Sequence, residues 1–238
     1  MDFKCIPVSR RVNQKSKCSL NEWEIKGQVG EESMYGDVYA ACCKSDCTHV
    51  MKIQKIVKGG TTDQENEMQV LAAERGLAPL VVDSYVCDDN SIIIMKAMKR
   101  TVYDLLKEIF DSQVHLLIIK ECMSLVKEAH RLGYIHGDTH LNNFMIDYLP
   151  ENYIKALPYI GKNNLKAYRI LDPEYKFIDF GYSGPATSLE DLREDYIKMF
   201  LHLQRLYENL PEEELPSYAK VLEMIATKIH SISQGPKK

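Results

Sequence analysis

Residues 136–143 of this 238-residue chain read His-Gly-Asp-Thr-His-Leu-Asn-Asn, and residues 177–181 read Phe-Ile-Asp-Phe-Gly. In the first run Asp138 stands five residues before Asn143, and in the second run Asp179 lies among apolar residues. Phosphoryl transfer requires a carboxylate that can accept a hydroxyl proton and oxygen ligands that suit Mg²⁺. The two runs therefore predict a phosphoryl-transfer site that contains Asp138, Asn143 and Asp179.

The composition is that of an ordinary globular protein. The chain has 30 basic and 34 acidic side chains, a formal net charge of -4 and 45% hydrophobic residues. This balance gives no direct evidence for a nucleic-acid partner. We find no apolar run that approaches the roughly 18 residues of a membrane span and no signal-peptide pattern at the start. We therefore expect a soluble intracellular protein.

The seven cysteines are odd in number and lack the dense spacing of a small secreted scaffold. We expect them to be structural thiols in a reducing compartment. Cys42, Cys43, Cys47 and His49 are of the residue types that bind zinc. Adjacent residues of a strand point to opposite faces, however, so Cys42 and Cys43 would not converge on one ion. The spacing therefore does not favour a zinc site.

The residue pattern divides the chain into an arm and two lobes. Residues 1–20 are rich in Lys and Arg and are typical of a solvated basic arm. Residues 21–98 contain five strand-like runs and one helix, which predicts a small antiparallel sheet covered by a helix. Residues 99–238 are mainly helical, and we interpret residues 147–167 as an insertion. The fold class is therefore predicted to be α+β.

The order of the candidate residues resembles the protein-kinase-like superfamily over about residues 23–206. The resemblance rests on a glycine-containing turn, a strand lysine, a helix glutamate and the two acidic motifs, namely Gly30 with Gly36, Lys52, Glu67, Asp138 with Asn143, and Asp179. It implies a two-lobed fold, with a five-stranded N-lobe, a shortened and mainly helical C-lobe, and the use of ATP and Mg²⁺.

The resemblance implies how the N-lobe holds the nucleotide. The turn of Gly30 and Gly36 would cover the phosphates, and Lys52 would hold the α- and β-phosphates. Glu67 would pair with Lys52. Glu65 is a second candidate for this pairing, although Glu67 better matches the apolar spacing that follows it.

The same resemblance places the adenine pocket. Val38 would cover the base and Met95 would lie at the inner edge of the pocket. Ala97 and Met98 would belong to the connecting hinge, whose backbone groups would bind adenine. Each of these residues also suits an ordinary strand or core position.

The catalytic loop takes its implied roles from the same family. Asp138 would accept the proton of the acceptor hydroxyl, with His140 beside it, and Asn143 and Asp179 would bind Mg²⁺. Asp195 would be either the buried carboxylate that anchors this loop or an exposed helix residue.

The sequence departs from ordinary protein kinases at two positions. One bears on regulation by phosphorylation, and the other bears on the molecule that accepts the phosphoryl group. The residue before the catalytic Asp is often an Arg that pairs with a phosphate on the activation loop, but here it is Gly137. We therefore expect no control by loop phosphorylation. His140 replaces the catalytic-loop Lys, and this form of the loop resembles aminoglycoside and choline phosphotransferases. A small-molecule or lipid acceptor is therefore an alternative.

The short C-lobe favours a protein acceptor. It resembles the RIO kinases, the kinase subunit of the KEOPS complex and the minimal protein kinases of large DNA viruses. We expect a protein serine/threonine kinase, located in the host cytoplasm or the virion if it is viral. A nucleotide-binding scaffold that needs a protein partner is a second alternative, and an activating partner for the enzyme is also left open.

Overall fold

The structure, a computed structural model, describes residues 5–7, 18–30, 36–56, 62–147 and 173–234. The chain forms two compact units. The first contains the described residues up to Met98 together with Asp179–Gly181, and the second contains those of Lys99–Ile178 and from Tyr182 onward. Most of the predicted arm at 1–20 and nearly all of the predicted insertion at 147–167 lie outside the described residues.

The described residues of the first unit form one antiparallel sheet, one α-helix and a short 3₁₀ helix, Leu20–Glu22. Its elements are β1 (Cys5–Pro7), β2 (Trp23–Gln28), β3 (Asp37–Cys43), β4 (Asp46–Lys55), α1 (Thr62–Glu74), β5 (Val81–Cys87) and β6 (Asn90–Lys96). The strand order is β1-β5-β6-β4-β3-β2. The α+β class and the five predicted strands are confirmed. The structure adds β1, which comes from the predicted arm and pairs with β5.

Strand β6 lies inside the sheet and is apolar on both faces. Ile92 and Ile94 belong to a buried cluster on one face. Ile93 and Met95 belong to a cluster on the other face, which packs against Val70 of α1. Alternating strand residues project to opposite faces, so a strand covered on both sides reads as a continuous apolar run.

Among the described residues of the first unit, Cys18, Cys42, Cys43, Cys47 and Cys87 are disulfide-bonded, so the prediction that they are thiols was wrong. Cys18 is bonded to Cys43, and Cys42 is bonded to Cys47. Neighbouring residues of β3 project to opposite faces, and Cys42 and Cys43 therefore reach different partners. Cys122 of the second unit is a free, buried thiol, as expected.

We expect the variant Cys18→Ser to lower the free energy of unfolding by about 3.5 kcal/mol, because a cross-link restricts the unfolded chain. The bond joins residues 25 positions apart, whereas the Cys42–Cys47 bond joins residues 5 apart. Cys47→Ser should therefore cost less, about 2 kcal/mol. Urea unfolding in oxidising buffer measures both effects. The control is the wild type with a reducing agent, and equal midpoints for Cys18→Ser and the wild type would contradict the prediction.

The second unit is mainly helical. Its elements are β7 (Arg100–Thr101), α2 (Val102–Glu108), α3 (Ser112–Arg131), β8 (Tyr134–Ile135), β9 (Phe144–Ile146), β10 (Tyr175–Phe177), β11 (Gly184–Pro185), α4 (Leu189–Tyr207) and α5 (Leu215–Ser233). Two small sheets, β10-β9-β7 and β11-β8, accompany the helices. Among the described residues, none of the helices has the length and hydropathy that crossing a membrane would require.

Helix α3 forms the core of the second unit. Asp111 caps its first turn by accepting from the Gln113 N–H at 2.8 Å. The helix buries Ile118, Cys122 and Val126 and packs against α4 and α5. This packing fixes α4, which carries Asp195, beside the loop that follows β8.

Candidate active site

Lys52 of β4 is the centre of a charged cluster in the first unit. Its Nζ donates to Glu65 Oε1 and lies 3.4 Å from Asp179 Oδ1. Gln54 Nε2 donates to Glu65 Oε2 at 2.8 Å, so both oxygens of Glu65 are engaged. The side chains of Lys52 and Glu65 are only 13% and 8% exposed. A buried ion pair needs additional hydrogen bonds of this kind to offset its desolvation.

The strand register explains why Lys52 faces α1. Lys52 pairs directly with Ile93 of β6, and directly paired residues of neighbouring strands project to the same face. Ile93 belongs to the cluster that packs against Val70 and Ala73 of α1. The lysine ammonium group is therefore directed toward the side of the sheet that the helix covers.

The helix partner of Lys52 is Glu65, and the prediction that it is Glu67 was wrong. Glu67 is exposed. The buried face of α1 consists of Glu65, Asn66, Gln69 and Ala72. Successive helix residues are rotated by about 100°, so Glu67 lies on the opposite side from Glu65. The apolar spacing was misleading because the buried face of this helix is largely polar.

The two glycines of the predicted phosphate-covering turn flank residues 31–35, which lie outside the described residues. Gly30 and Gly36 have positive φ angles of 83° and 141°. A Cβ at position 36 would lie 2.7 Å from a backbone carbonyl oxygen of β4, so this position requires glycine. Val38 follows in β3 and pairs directly with Lys52.

The predicted hinge lies at the end of β6. Met95 is buried within the strand. The Ala97 N–H donates to Thr48 O at 2.8 Å, so this amide hydrogen is not available to a ligand. Within the described part of the chain, the Met98 N–H has no hydrogen-bond partner. Of these two hinge amides, Met98 is therefore the one that can donate to a bound base.

Asp138 lies in the loop of the second unit and one of its carboxylate oxygens has two partners. Asn143 Nδ2 donates to Asp138 Oδ2 at 3.1 Å, and His140 Nε2 lies 3.3 Å from the same oxygen. Burial raises the pKa of Asp138, but the hydrogen bond and charge of His140 and the charge of Lys198 outweigh it. The pKa is therefore held below its usual value, and Asp138 is ionised at neutral pH.

His136 fixes the start of this loop. Its Nε2 donates to Ile178 O at 3.0 Å, and its ring stacks on Phe177 with the centroids 4.5 Å apart. The Ile178 N–H donates to Asn143 O at 3.0 Å. The loop is thus held to the strand whose next residues lead into Asp179.

Asp195 of α4 is the buried anchor of the loop, which confirms one of the two roles considered for it. Its Oδ1 accepts from the Gly137 N–H at 2.8 Å. Its Oδ2 accepts from the His136 N–H at 3.1 Å and lies 2.8 Å from His130 Nε2. Asp195 is only 1% exposed. Three hydrogen-bond partners offset the cost of burying its carboxylate.

Gly137 is required by its backbone and by a close neighbour. Its φ angle is 77°, and a Cβ there would lie 2.2 Å from Tyr182 O. Ser183 Oγ donates to His136 O at 2.8 Å, and Gly184 pairs with Ile135 in the ladder between β8 and β11. The segment that starts at Tyr182 is therefore fixed to the loop by backbone contacts.

The side chains of Asn143 and Asp179 suit a hard cation. The amide nitrogen of Asn143 donates to Asp138, so its Oδ1 is the atom left to act as a ligand. The Asp179 side chain is 43% exposed. No group of three or more His, Cys, Asp or Glu side chains in the described ranges is arranged to hold a metal ion. Mg²⁺ commonly binds through one or two protein oxygens together with phosphate oxygens and water, so a small number of protein ligands is sufficient.

Comparisons with known proteins agree on the fold. No protein-family model matches the chain. It is 27% identical, over 151 residues and 58% of its length, to the serine/threonine-protein kinase ppk35 of Schizosaccharomyces pombe, of which it spans 23%. Among solved structures, it is similar to the kinase PK-1 of Cydia pomonella granulovirus and to the BubR1 kinase domain.

The structural similarity to PK-1 has a TM-score of 0.55, with 16% identity, 84% of this chain covered and 75% of that chain. For BubR1 the TM-score is 0.52, with 14% identity, 75% of this chain covered and 52% of that chain. The chain has a protein-kinase-like fold. The predicted fold class is therefore confirmed.

In this kinase-like fold, the structure adds residues that the sequence did not indicate. Gln54 could have been found, because it lies two positions after Lys52 and so on the same face of the strand. His130, Lys198 and His202 contact the loop or its anchor from helices. No sequence pattern indicates these contacts, since they join residues far apart in the chain.

Proposed function

We propose that this chain is an ATP- and Mg²⁺-dependent phosphotransferase that acts on Ser or Thr hydroxyl groups of proteins. The observation that carries the proposal is the cluster in which Lys52 contacts both Glu65 and Asp179. In kinases a helix glutamate holds the strand lysine in place for the phosphates, and the Asp binds a metal ion. The kinase-like fold supports the same assignment for this cluster.

Asp138 would act on the acceptor hydroxyl. Its Oδ2 is engaged by Asn143 and His140, so Oδ1 would be the oxygen that meets the substrate hydroxyl. It would orient the hydroxyl and accept its proton while the oxygen–phosphorus bond forms and the bond to the leaving diphosphate breaks. The lowered pKa of Asp138 keeps its carboxyl group ionised at neutral pH, which is the form that can orient the hydroxyl and take its proton.

Lys52 would bind phosphate oxygens, and Asn143 Oδ1 and the Asp179 carboxylate would hold Mg²⁺. The ion supplies positive charge that stabilises the charge on the transferring phosphoryl group. Glu65 keeps the ammonium group of Lys52 in place. The Met98 N–H is the hinge donor for the base.

Activity would not depend on phosphorylation of the segment after Asp179. In ordinary protein kinases an arginine at the position of Gly137 pairs with a phosphate on the activation loop. Here an arginine would clash with the Tyr182 carbonyl oxygen, because even a Cβ at this position would lie 2.2 Å from it. The segment is already held by the ladder of β8 with β11. We therefore expect the protein to be active as it is expressed, without prior phosphorylation.

The test is a labelled Mg-ATP assay on the pure protein, with unmodified protein acceptors and with EDTA as the control. We expect label to enter Ser and Thr residues of an acceptor or of the protein itself. Absence of transfer to any acceptor, without ATP hydrolysis, would contradict the proposal. Phosphoamino-acid analysis identifies the hydroxyl class.

A second candidate is a small-molecule or lipid kinase. It is favoured by His140, which contacts Asp138 where protein kinases have a lysine. The same assay with sugars, amino alcohols and inositol lipids distinguishes the two candidates. Efficient transfer to one of these compounds, with none to protein, would favour the second.

The pair Glu65 and Glu67 gives a matched test of the Lys52 cluster. We expect Glu65→Gln to lower kcat/KM for ATP by about 10- to 100-fold, the effect of losing a hydrogen bond between charged groups. Glu67→Gln should have no effect, because Glu67 is exposed. Steady-state kinetics of both variants measures the difference. A larger loss in Glu67→Gln than in Glu65→Gln would contradict the assignment.

A further inference from the structure

The loop that carries Asp138 ends in a short 3₁₀ helix, Leu141–Asn143, which presents Asn143. The first N–H groups of a helix have no partner within the helix and need one elsewhere. His140, at the position before this helix, makes no side-chain capping bond. Instead the Leu141 N–H donates to His202 Nδ1 at 2.9 Å. The cap is thus supplied by α4, 61 residues away in the chain.

The ring of His202 is held in the orientation that this hydrogen bond needs. It packs against Tyr103 of α2 with the centroids 5.0 Å apart and against His140 at 5.5 Å. An imidazole nitrogen accepts a hydrogen bond only when it is unprotonated. Burial lowers the pKa of His202, and the charges of His140 and Arg205 act in the same direction. These effects outweigh the opposing charge of Asp138 and favour the neutral ring, which is the form that accepts the Leu141 N–H.

Helix α4 contacts the loop on both sides of Asp138. Asp195, Lys198 and His202 are spaced by three and four residues, which places them on one face of the helix. Lys198 Nζ donates to Gly137 O, just before Asp138, in addition to the two bonds of Asp195. His202 holds the backbone just after His140. Without His202, the part of the loop that follows Asp138 would lose the hydrogen bond between the Leu141 backbone and α4.

We propose that His202 is a positioning residue for the transfer reaction. It would hold the 3₁₀ helix so that Asn143 keeps its hydrogen bond to Asp138 and its Oδ1 as a ligand. His202 acts through the Leu141 backbone and touches no reacting group. The inference rests on the proposed function, because positioning has an effect on rate only if Asp138 and Asn143 take part in transfer.

Two substitutions separate the hydrogen bond from the packing. His202→Phe keeps a ring against Tyr103 but removes the acceptor, whereas His202→Asn supplies an acceptor oxygen close to the position of Nδ1. We expect His202→Phe to lower kcat about 10-fold, with KM for ATP changed by less than about twofold. His202→Asn should recover most of the loss. Leu201→Ala, at an exposed position on the same helix, is the matched control.

A measurement that needs no activity tests the contact itself. Amide hydrogen exchange of the Leu141 N–H should be faster in His202→Phe than in the wild type, and should be slowed again in His202→Asn. Thermal unfolding and nucleotide-binding stoichiometry show whether each variant is folded. The proposal is overturned if folded His202→Phe keeps the wild-type kcat or the wild-type Leu141 exchange rate.

The two proposals fail in different ways. If the wild type transfers no phosphate, the proposed function is wrong whatever the exchange data show, and the role of His202 in that reaction is rejected with it. If the wild type is active and the kcat values of His202→Phe and Leu201→Ala are equal, only the positioning role is rejected. If His202→Asn is as slow as His202→Phe, the acceptor atom is not the feature that matters, and this too overturns the inference.

Discussion

Replacing Asp138 with Asn should lower phosphoryl transfer by about 10²–10⁴-fold, the usual contribution of a positioned general base. The amide has nearly the same shape as the carboxylate, so the loop geometry set by Asn143 and Asp195 should persist. It has no negative charge and cannot take the proton of the acceptor hydroxyl. The affinity for Mg-ATP should change little, because Lys52 and Asp179 are unaltered.

Single-turnover transfer and nucleotide affinity should be measured on the same preparation of the Asp138 variant. Asp89→Asn, an identical change in the exposed turn between β5 and β6, is the matched control and should behave as the wild type. Unchanged transfer in Asp138→Asn would reject the assignment of this residue. A parallel loss of nucleotide binding would instead indicate that the loop is disrupted.

Removing the negative charge of Asp179 should abolish the stabilisation that Mg-ATP gives to the folded protein. A ligand at 100 times its Kd stabilises a protein by about 2.7 kcal/mol, and we expect this amount to be lost. Asp179 has a φ angle of 62°, a conformation that Asn tolerates better than Ala. Asp179→Asn is therefore the better variant, with Asp179→Ala as the second.

Thermal unfolding with Mg-ATP and with ATP plus EDTA separates the contribution of the metal. The wild type should be stabilised more by Mg-ATP than by ATP plus EDTA, whereas Asp179→Asn should be stabilised by neither. Lys52 keeps its partner Glu65 in this variant, so unfolding without ligand should change little. A wild-type shift with Mg-ATP in Asp179→Asn would contradict the role of Asp179 as a metal ligand.

Local patterns were sufficient to predict most of the fold. The runs of β2 to β6 were recognisable because each strand combines apolar alternation with a turn signal, and β6 because it is buried on both faces. The edge strand β1 was missed because Cys5–Pro7 is short and lies among basic residues. Its pairing with β5 is a long-range contact that no local pattern encodes.

The site residues that were found early are those whose spacing is fixed by chemistry. Asp138 and Asn143 are close in sequence and hydrogen-bonded to each other, so their spacing predicted their contact. The apolar spacing of α1 pointed to Glu67 as the partner of Lys52. The partner is Glu65, because the helix face that covers the sheet is largely polar. The disulfide partners of Cys42 and Cys43 could not be read from spacing, since strand pairing decides which thiols meet.

The short turn Asp179–Gly181 belongs to the first unit, although the residues on both sides of it belong to the second. A gene fragment that ends at residue 98 would therefore encode Lys52 and Glu65 without Asp179. The complementary fragment, from residue 99 onward, would carry Asp179 together with Asp138 and Asn143. We expect neither fragment to transfer phosphate alone, and any activity of the mixture to require that the two fragments reassociate.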